Sequence, residues 1–227
     1  MPPKRVVASA RRPHANILNV RFNPSFSLDD VGTVKRLIQE NPWATIVSMT
    51  GAGLVASHYP VMLDEQREEI SVLSHVGRPD EELHELGQHE VMVIIQGPHG
   101  YISPSWYGDG PAVPTWNFIV AHLYGVPEIL SGEDNLEVLG RLVDHFEEHV
   151  ARPHHLHRSE ADSTFERSLS RGTVGFRLTP SRITAKQKMS QNKSAETSAA
   201  VLGHLEGDGP YANSALAREM RLAQPEI

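Results

Sequence analysis

The sequence of 227 residues contains no cysteine. This absence excludes disulfides, thiolate-bound zinc or iron–sulfur clusters and a cysteine nucleophile, and it fits a reducing compartment, so we expect a cytoplasmic protein. No apolar run approaches the ~20 residues of a membrane-spanning helix, and we expect no membrane span. The formal net charge of −7 argues against a protein whose whole surface grips nucleic acid, because that function needs a clustered positive face.

Several signatures of well-known sites are also missing. There is no GxGxxG after a strand and no GxxxxGK[ST], so neither a Rossmann site nor a P-loop is expected. The G-x-S-x-G motif, which positions the nucleophilic serine of a hydrolase triad, is also absent, so we expect no such triad. His145 and His149 lie one helical turn apart, but Glu147 and Glu148 mark a solvated face. We interpret these histidines as surface residues and expect no metal site.

The first 28 residues contain no acidic side chain but five lysines and arginines. An Arg-rich targeting presequence and a disordered basic extension are both compatible with that composition. Prolines at positions 2, 3 and 13 would interrupt an amphipathic helix, so we favour a disordered extension over residues 1–19.

The hydrophobic pattern predicts mostly strands. Segments 43–49, 54–63 and 70–76 alternate and are joined by short polar links, which favours antiparallel hairpins. Further strands are predicted at 91–95, 117–130 and 173–190, the last broken at Pro180. Many short strands with few helices indicate a barrel with helical additions.

Helical patterns flank these strands. Ser27 is the predicted N-cap of a helix that Asn41-Pro42 ends. A longer helix is predicted at 133–150, and a short one at 79–86. The apolar stripe of the longer helix is Leu136, Leu139, Val143, Phe146 and Val150. Segments 194–205 and 213–220 also look helical.

The segments 96–107 and 113–124 hold the densest polar and aromatic side chains. Their sequences, QGPHGYISPSWY and VPTWNFIVAHLY, combine strand-like runs with prolines. Rings and amides are therefore delivered at strand ends and loop edges. This pattern predicts a binding pocket.

Three weaker candidate sites lie outside those segments. Ser74-His-Val-Gly-Arg78 falls between a predicted strand and a helix, where a helix N-terminus and an arginine fork suit phosphate; many such corners bind nothing. Ser57 and His58, in the second strand, are either ligands for a ring or a satisfied polar pair. The run 186–193 places Lys186, Lys188 and Ser190 on one face, as an anion site or as a solvated charge run.

Together these segments resemble a known family, the PaiB-type FMN-binding negative transcriptional regulators of the flavin-binding split-barrel superfamily. The resemblance covers about Val20 to Leu205. It rests on residues 41–47, 56–60, 75–76, 96–107, 113–125, 174–176 and 189–193. The order QGPHxYISPSWY, VPTWN, SQNK is far more specific than any single motif above.

The resemblance implies a mainly β (α+β) fold, a six-stranded antiparallel split β-barrel with peripheral helices. It also implies a homodimer with FMN in a groove at the subunit interface. We accordingly assign residues 20–193 to the split-barrel domain and 194–227 to a helical C-terminal tail. The cofactor-binding residues implied by similarity are Ser57, His58 and Pro60 beside the flavin, Ser74, His75 and Arg78 at its phosphate, and further Trp116, Asn117, Lys188 and Gln191, some of them from the partner subunit.

The chain departs from the family pattern at the predicted phosphate corner. Where Ala-Arg-Ala-Asn-Pro is expected, it has Gly77-Arg-Pro-Asp-Glu81. An aspartate in place of a neutral amide weakens phosphate binding by like-charge repulsion. A second departure is Pro153-His154, where Pro-Trp is expected.

Three functions follow from these observations. The first is an FMN-binding dimer, acting as a flavin-linked transcriptional regulator or an FMN-dependent oxidoreductase. The second is a haem-binding or haem-degrading split barrel with His154 or His155 as axial ligand. The third is a DNA-binding repressor without chemistry, although the sequence has neither a helix-turn-helix signature nor a large basic stripe.

Overall fold

The computed structural model describes residues 23–108, 110–156 and 159–226, so the extension predicted at 1–19 lies outside the described residues. Within them the chain forms one antiparallel sheet of eight strands with six α-helices around it. The predicted number of six strands is therefore wrong. Pro127 divides the segment predicted at 117–130, and Pro180 divides 173–190, because proline cannot donate to a ladder.

The strands are β1 (Trp43–Thr50), β2 (Gly53–Leu63), β3 (Val72–Gly77), β4 (Val91–Ile102), β5 (Thr115–Gly125), β6 (Glu128–Ile129), β7 (Thr173–Leu178) and β8 (Arg182–Lys188). The helices are α1 (Val31–Glu40), α2 (Asp80–Leu83), α3 (Gly132–Glu147), α4 (Glu160–Ser170), α5 (Ala195–Glu206) and α6 (Ser214–Ala223). The order of strands across the sheet is β6-β7-β3-β2-β1-β4-β5-β8.

The predicted hairpins β1–β2 and β2–β3 are confirmed, with Thr45 opposite His58 in the first. Helix α1 ends at Asn41 as predicted, but its N-cap is Asp30, whose carboxylate accepts a hydrogen bond from the Thr33 N–H at 2.7 Å. The predicted N-cap, Ser27, instead forms an isolated bridge with Lys186. The chain before α1 thus pairs with the edge of β8, and this delays the start of the helix.

The sheet turns a corner within β2. Residues 53–60 pair with β1, whereas residues 61–63 pair with β3. Buried side chains from both halves, such as Ile46 on β1 and Phe176 on β7, belong to one hydrophobic core. Burial of this shared apolar surface is the main force that holds the two halves together.

Helices α5 and α6 complete the core. Val201, Leu205 and Met220 are buried in it, and the side chain of Arg36 on α1 binds Glu219 on α6. The segment that sequence patterning assigns to a C-terminal tail therefore packs on the same core as the strands. None of the helices in the described part of the chain is long and apolar enough to cross a membrane.

Helix α3 lies on the other side of the sheet, against β3. Val138 and Leu142 pack with Met62 and Leu73 in a second, smaller cluster. These buried residues are not the predicted apolar stripe, whose members are only half-buried or exposed. Helix α3 carries two apolar flanks, and only one of them is packed on the sheet.

Candidate functional site

The corner between β3 and α2, where the sequence predicts a phosphate site, is occupied by a carboxylate of the chain itself. We call it the Asp80 corner. Ser57 and Tyr59 point the same way from β2, because alternate strand residues share a face. Both hydroxyls donate to Oδ2 of Asp80, each at 2.8 Å. The Gly77 N–H donates to the Tyr59 hydroxyl at 3.0 Å. Burial raises the pKa of Tyr59, and the neighbouring Asp80 carboxylate adds to that rise, so the phenol stays protonated and able to donate.

Arg78, the predicted phosphate ligand, is engaged by a second acid. Its guanidinium donates to the carboxylate of Glu81, and its Nε donates to the Arg171 carbonyl at 3.1 Å. The side chain is exposed. With Asp80 on the hydroxyls and Glu81 on Arg78, this corner does not fit a further dianion unless these carboxylates are displaced.

Ser74 and His75 point to opposite sides of β3. The Ser74 hydroxyl is buried and donates to the Pro60 carbonyl at 2.7 Å, a contact that holds β2 to β3. His75 faces the side on which α3 lies. Burial lowers the pKa of His75, so its imidazole is neutral near pH 7. Neither residue is part of the Asp80 corner.

His58 and Pro60 lie on the opposite face of β2 from Ser57. We call this the outer face: the side chains of β1, β2, β4, β5 and β8 that point away from the core. His58 stacks against Trp43, with ring centroids 6.4 Å apart and an interplanar angle of 16°. Trp43 is 65% exposed and Leu54 is 73% exposed. The outer face thus offers an open surface with flat rings.

A second ring pair lies on β4 and β5 of the outer face, within the segments 96–107 and 113–124 that the sequence predicts to form a pocket. Trp116 is exposed on β5 and stacks with His99 of β4 at 6.3 Å. Its neighbour Asn117 points inward, is buried, and donates to the Ser190 hydroxyl at 2.9 Å. Of these two predicted ligands, only Trp116 is free to meet a second molecule.

Gln191 holds the end of β8 in place. Its side-chain oxygen accepts from the Met189 N–H at 2.6 Å, and its amide nitrogen donates to the Gln187 carbonyl. Ser190, between Met189 and Gln191, has a φ angle of 64°, a left-handed conformation that is uncommon for a residue with a side chain. These amide contacts fix the chain around that turn, so Gln191 serves the structure of the motif.

Lys188 and Lys193 bring two positive charges together beside the 108–113 loop. The Lys188 ammonium donates to the Thr115 hydroxyl. The Lys193 Nζ lies 4.7 Å from the ring centroid of Tyr107, a cation–π contact. Burial lowers the pKa of Lys188, and the charge of Lys193 lowers it further. Within the described residues no carboxylate forms a salt bridge with either lysine, and Lys193 also lines a cavity of about 440 Å³. This arrangement fits an anion.

The predicted site residues therefore form two groups within one chain. Ser57, His58 and Pro60 lie on β2, whereas Lys188 lies on β8, with β1, β4 and β5 between. At ~4.8 Å per strand step, the two groups are about 19 Å apart along the sheet. Sequence reasoning missed Tyr59 and Thr115 as partners. Strand alternation placed Tyr59 beside Ser57, but nothing in the sequence indicated its contact with Asp80.

The surface histidines form no ligand set. Among the described residues, no group of three His, Asp or Glu side chains is arranged to hold a metal ion. His155 is exposed, and its Nδ1 lies 2.7 Å from the Asp144 carboxylate. His154 is also exposed, and its backbone N–H donates to Glu147.

Comparison with known proteins matches most of this chain to one family. A family model described as "Putative FMN-binding domain" matches residues 21–182. The "Protease synthase and sporulation protein PAI 2" of Bacillus subtilis is 29% identical over 185 residues, which cover 81% of this chain and 87% of that protein.

Solved structures share the fold at lower identity. A FAD and heme binding protein from Mycobacterium smegmatis has a TM-score of 0.53 at 15% identity, covering 77% of this chain and 78% of that one. The flavocytochrome Anf3 from Azotobacter vinelandii has a TM-score of 0.51 at 18% identity, covering 71% and 69%. At these identities the likeness concerns the arrangement of strands and helices.

Proposed function

The chain belongs to the PaiB-type family of FMN-binding domains, and from that premise we propose that it holds FMN on its outer face, in a homodimer, as a flavin-linked regulator or redox protein. When bound, the flavin supplies hydride or single-electron transfer. The residues of the chain bind the ring, hold the phosphate and shield both from water.

The observation that carries the proposal is the combination of flat rings on the outer face with two neighbouring lysines at the end of β8. The stacked pairs Trp43–His58 and His99–Trp116 suit a planar isoalloxazine. Lys188 and Lys193 suit a phosphate, because they lie close together without a carboxylate among the described residues. The Asp80 corner, in contrast, already holds an internal anion.

The dimer is proposed because a single chain separates the two groups. An FMN ring on the Trp43–His58 pair would lie four strand steps from Lys188 of the same chain, so a second subunit would supply its phosphate ligands. The outer face also exposes Met49 and its register partner Leu54, with Trp43 at the other end of β1, and exposed apolar side chains grouped in this way mark interaction surfaces. A second subunit on the outer face would cover them and supply the β8 group to the β2 group of the first.

The test is the visible absorption spectrum of the purified, untagged protein before and after excess FMN and desalting. We expect flavin bands at about one per subunit and a dimer by light scattering. A monomer that keeps no flavin at any FMN concentration would refute the proposal.

Haem is the second candidate, and it is supported by the structural neighbours described as a flavocytochrome and as a FAD and heme binding protein. On this alternative, haemin added to the protein gives a sharp Soret band that substitution of His154 or His155 abolishes. Both side chains are exposed, and His155 is paired with Asp144. A Soret band that survives both substitutions would exclude these histidines as axial ligands.

A further inference from the structure

The unpacked flank of α3 forms one wall of an apolar groove of about 430 Å³. Helix α4 forms the opposite wall, and β3 and β7 form the floor. We call this space the α3–α4 groove, and its apolar lining includes Pro60, Leu136, Leu139, Val143, Phe146 and Leu169. Most side chains of the predicted core stripe therefore face a space that the described residues leave open.

Helix α4 leaves the groove open because it packs lightly. None of its described side chains is buried, and Phe165 on it is 64% exposed. Native interiors contain few voids larger than a water molecule. An apolar groove of this size, between walls that do not close, has the volume and lining typical of small-molecule sites.

One polar ring faces the groove. His75 lines it, and among the described residues its buried Nδ1 has no hydrogen-bond partner. The ring contacts Tyr59 edge-on, with centroids 6.0 Å apart. Because Nδ1 is shielded from a molecule in the groove, Nε2 of the partly exposed ring is the nitrogen that a ligand there reaches. A neutral imidazole has one nitrogen that donates and one that accepts, and it therefore suits a ligand with a single hydrogen-bonding group.

The carboxylate of Glu147 disfavours anions in the groove. Glu147 and Glu166 line it, and Glu147 is held in place by the His154 N–H at 2.7 Å. Among the described lining residues there is no lysine or arginine. Like charges repel in a partly desolvated site, so a phosphate or carboxylate is disfavoured here. This separates the α3–α4 groove from the lysine pair at the end of β8.

We propose that the α3–α4 groove binds an uncharged apolar small molecule, aromatic or alicyclic, through one hydrogen bond to His75. Pro60 lines the groove and lies two residues from His58, so the bound molecule would sit next to the outer face. Except for Pro60, which borders both, the groove shares no residue with the ring pairs and the lysine pair of the proposed flavin site, and its ligand does not depend on flavin.

The test compares two fluorescent probes that differ only in charge. N-phenyl-1-naphthylamine is uncharged and carries one N–H, whereas 8-anilinonaphthalene-1-sulfonate adds a sulfonate to the same rings. We expect saturable binding of one uncharged probe per chain, at least tenfold tighter than the sulfonate. Glu147→Gln should reduce that preference. Equal affinity for the two probes, or no saturable binding, would overturn the proposal.

Variants then locate the probe. Leu139→Trp fills the groove and should weaken the uncharged probe at least tenfold, whereas His75→Phe removes the hydrogen bond and should weaken it about fivefold to tenfold. Leu222→Trp, at an exposed position on α6, is the matched control and should change nothing. If Leu139→Trp lowers the melting temperature, Val143→Phe replaces it. Equal loss in the control would place the probe elsewhere.

A final titration distinguishes the groove from the flavin site. With the uncharged probe bound, excess FMN should leave its bound fraction unchanged, because the two sites are separate. Displacement of one probe by one FMN would show that the groove is the seat of the flavin, and it would overturn the proposal of a second ligand. A protein that keeps no FMN but binds the probe would refute the flavin proposal alone.

Discussion

The carboxylate of Asp80 accepts a hydrogen bond from the Ser57 hydroxyl at 2.8 Å, in the corner where the family pattern places the phosphate of FMN. The same oxygen accepts from Tyr59. A phosphate that enters this corner must displace a group that is already well bonded and carries the same sign of charge. The chain thus holds an internal competitor for its predicted ligand.

Asp80→Asn should leave FMN affinity unchanged within about twofold, because the proposed phosphate ligands are Lys188 and Lys193 and the Asp80 carboxylate is held elsewhere by Ser57. Riboflavin, which lacks the phosphate, should bind equally to both proteins. Quenching of flavin fluorescence measures both affinities. Glu82→Gln, an exposed residue of the same helix, is the control. Tighter FMN binding by Asp80→Asn, with riboflavin affinity unchanged, would show that the phosphate enters this corner instead.

Lys188→Gln should weaken FMN binding about tenfold, because it removes a charge-assisted hydrogen bond to the phosphate. Arg78→Ala should have less effect, since Arg78 is engaged by Glu81 and the Arg171 carbonyl. Lys35→Gln, on α1, controls for the change in net charge. Flavin retained after desalting is the measurement. The opposite ranking, in which Arg78→Ala loses the flavin and Lys188→Gln keeps it, would show that the phosphate binds at the Asp80 corner.

Glu219→Gln should lower the free energy of unfolding by about 3 kcal/mol, because it leaves Arg36 without its buried partner. The two guanidinium nitrogens of Arg36 donate to the two Glu219 oxygens at 2.6 and 3.0 Å, and Glu219 is almost fully buried. Glu206→Gln, whose pair with Arg221 is exposed, should lower the free energy of unfolding far less. Urea unfolding compares the two. Equal losses would mean that the Arg36–Glu219 ion pair stabilises the fold no more than the exposed Arg221–Glu206 pair.

Asp64→Asn should lower the free energy of unfolding by about 3 kcal/mol as well. The fully buried carboxylate accepts from Arg177 at 2.8 Å and from Arg141 at 3.4 Å, and thereby ties α3 to the strands. Asp144→Asn, at an exposed position on α3, is the control. A loss confined to the control would exclude a structural role for the buried carboxylate.

The same carboxylate makes the fold sensitive to acid. Burial alone raises the pKa of Asp64, but the hydrogen bond from Arg177 and the neighbouring positive charges lower it below its ordinary value of 3.8. Its contribution is complete above that unfolded-state value and is lost as the pH falls through the lowered folded-state pKa. The free energy of unfolding should fall more steeply with decreasing pH in the native protein than in Asp64→Asn.

A buried histidine acts at higher pH. His84 is fully buried, its Nδ1 lies 2.7 Å from the Ser48 hydroxyl, and burial lowers its pKa from the ordinary value of 6.5. Stability should therefore be complete above pH 6.5 and fall as the pH drops toward the lowered folded-state pKa, because the unfolded chain takes up the proton first. The melting temperature of His84→Gln should depend less on pH in this range. The exposed variant His149→Gln should follow the native curve.

The strands could be predicted from the sequence because alternation is a local property. The spans of β1, β2 and β3 follow from period-two patterns and from short polar links, and Asn41-Pro42 ends α1 by local sterics. The start of α1 could not be predicted, because Ser27 is diverted by a bridge to Lys186, far along the chain. The break at Pro180 was predicted from the sequence, whereas the division of 117–130 at Pro127 was not.

The candidate site was harder to predict because its contacts are not local. Asn117 and Gln191 belong to specific motifs, yet their amides satisfy neighbouring groups within the fold. The sequence marked Asp80 as a poor neighbour for phosphate, but not as the hydrogen-bond partner of Ser57. That contact requires knowing that β2 passes beside the start of α2.

The corner in β2 has a consequence for what a chain of this size can do. Because the strand turns from one half of the sheet to the other near Pro60, the molecule has a single interior but two exteriors that face different directions. One exterior is open and aromatic, with lysines near one end, and the other is concave and apolar beneath α3. A small protein can in this way present two unlike chemistries without a second domain.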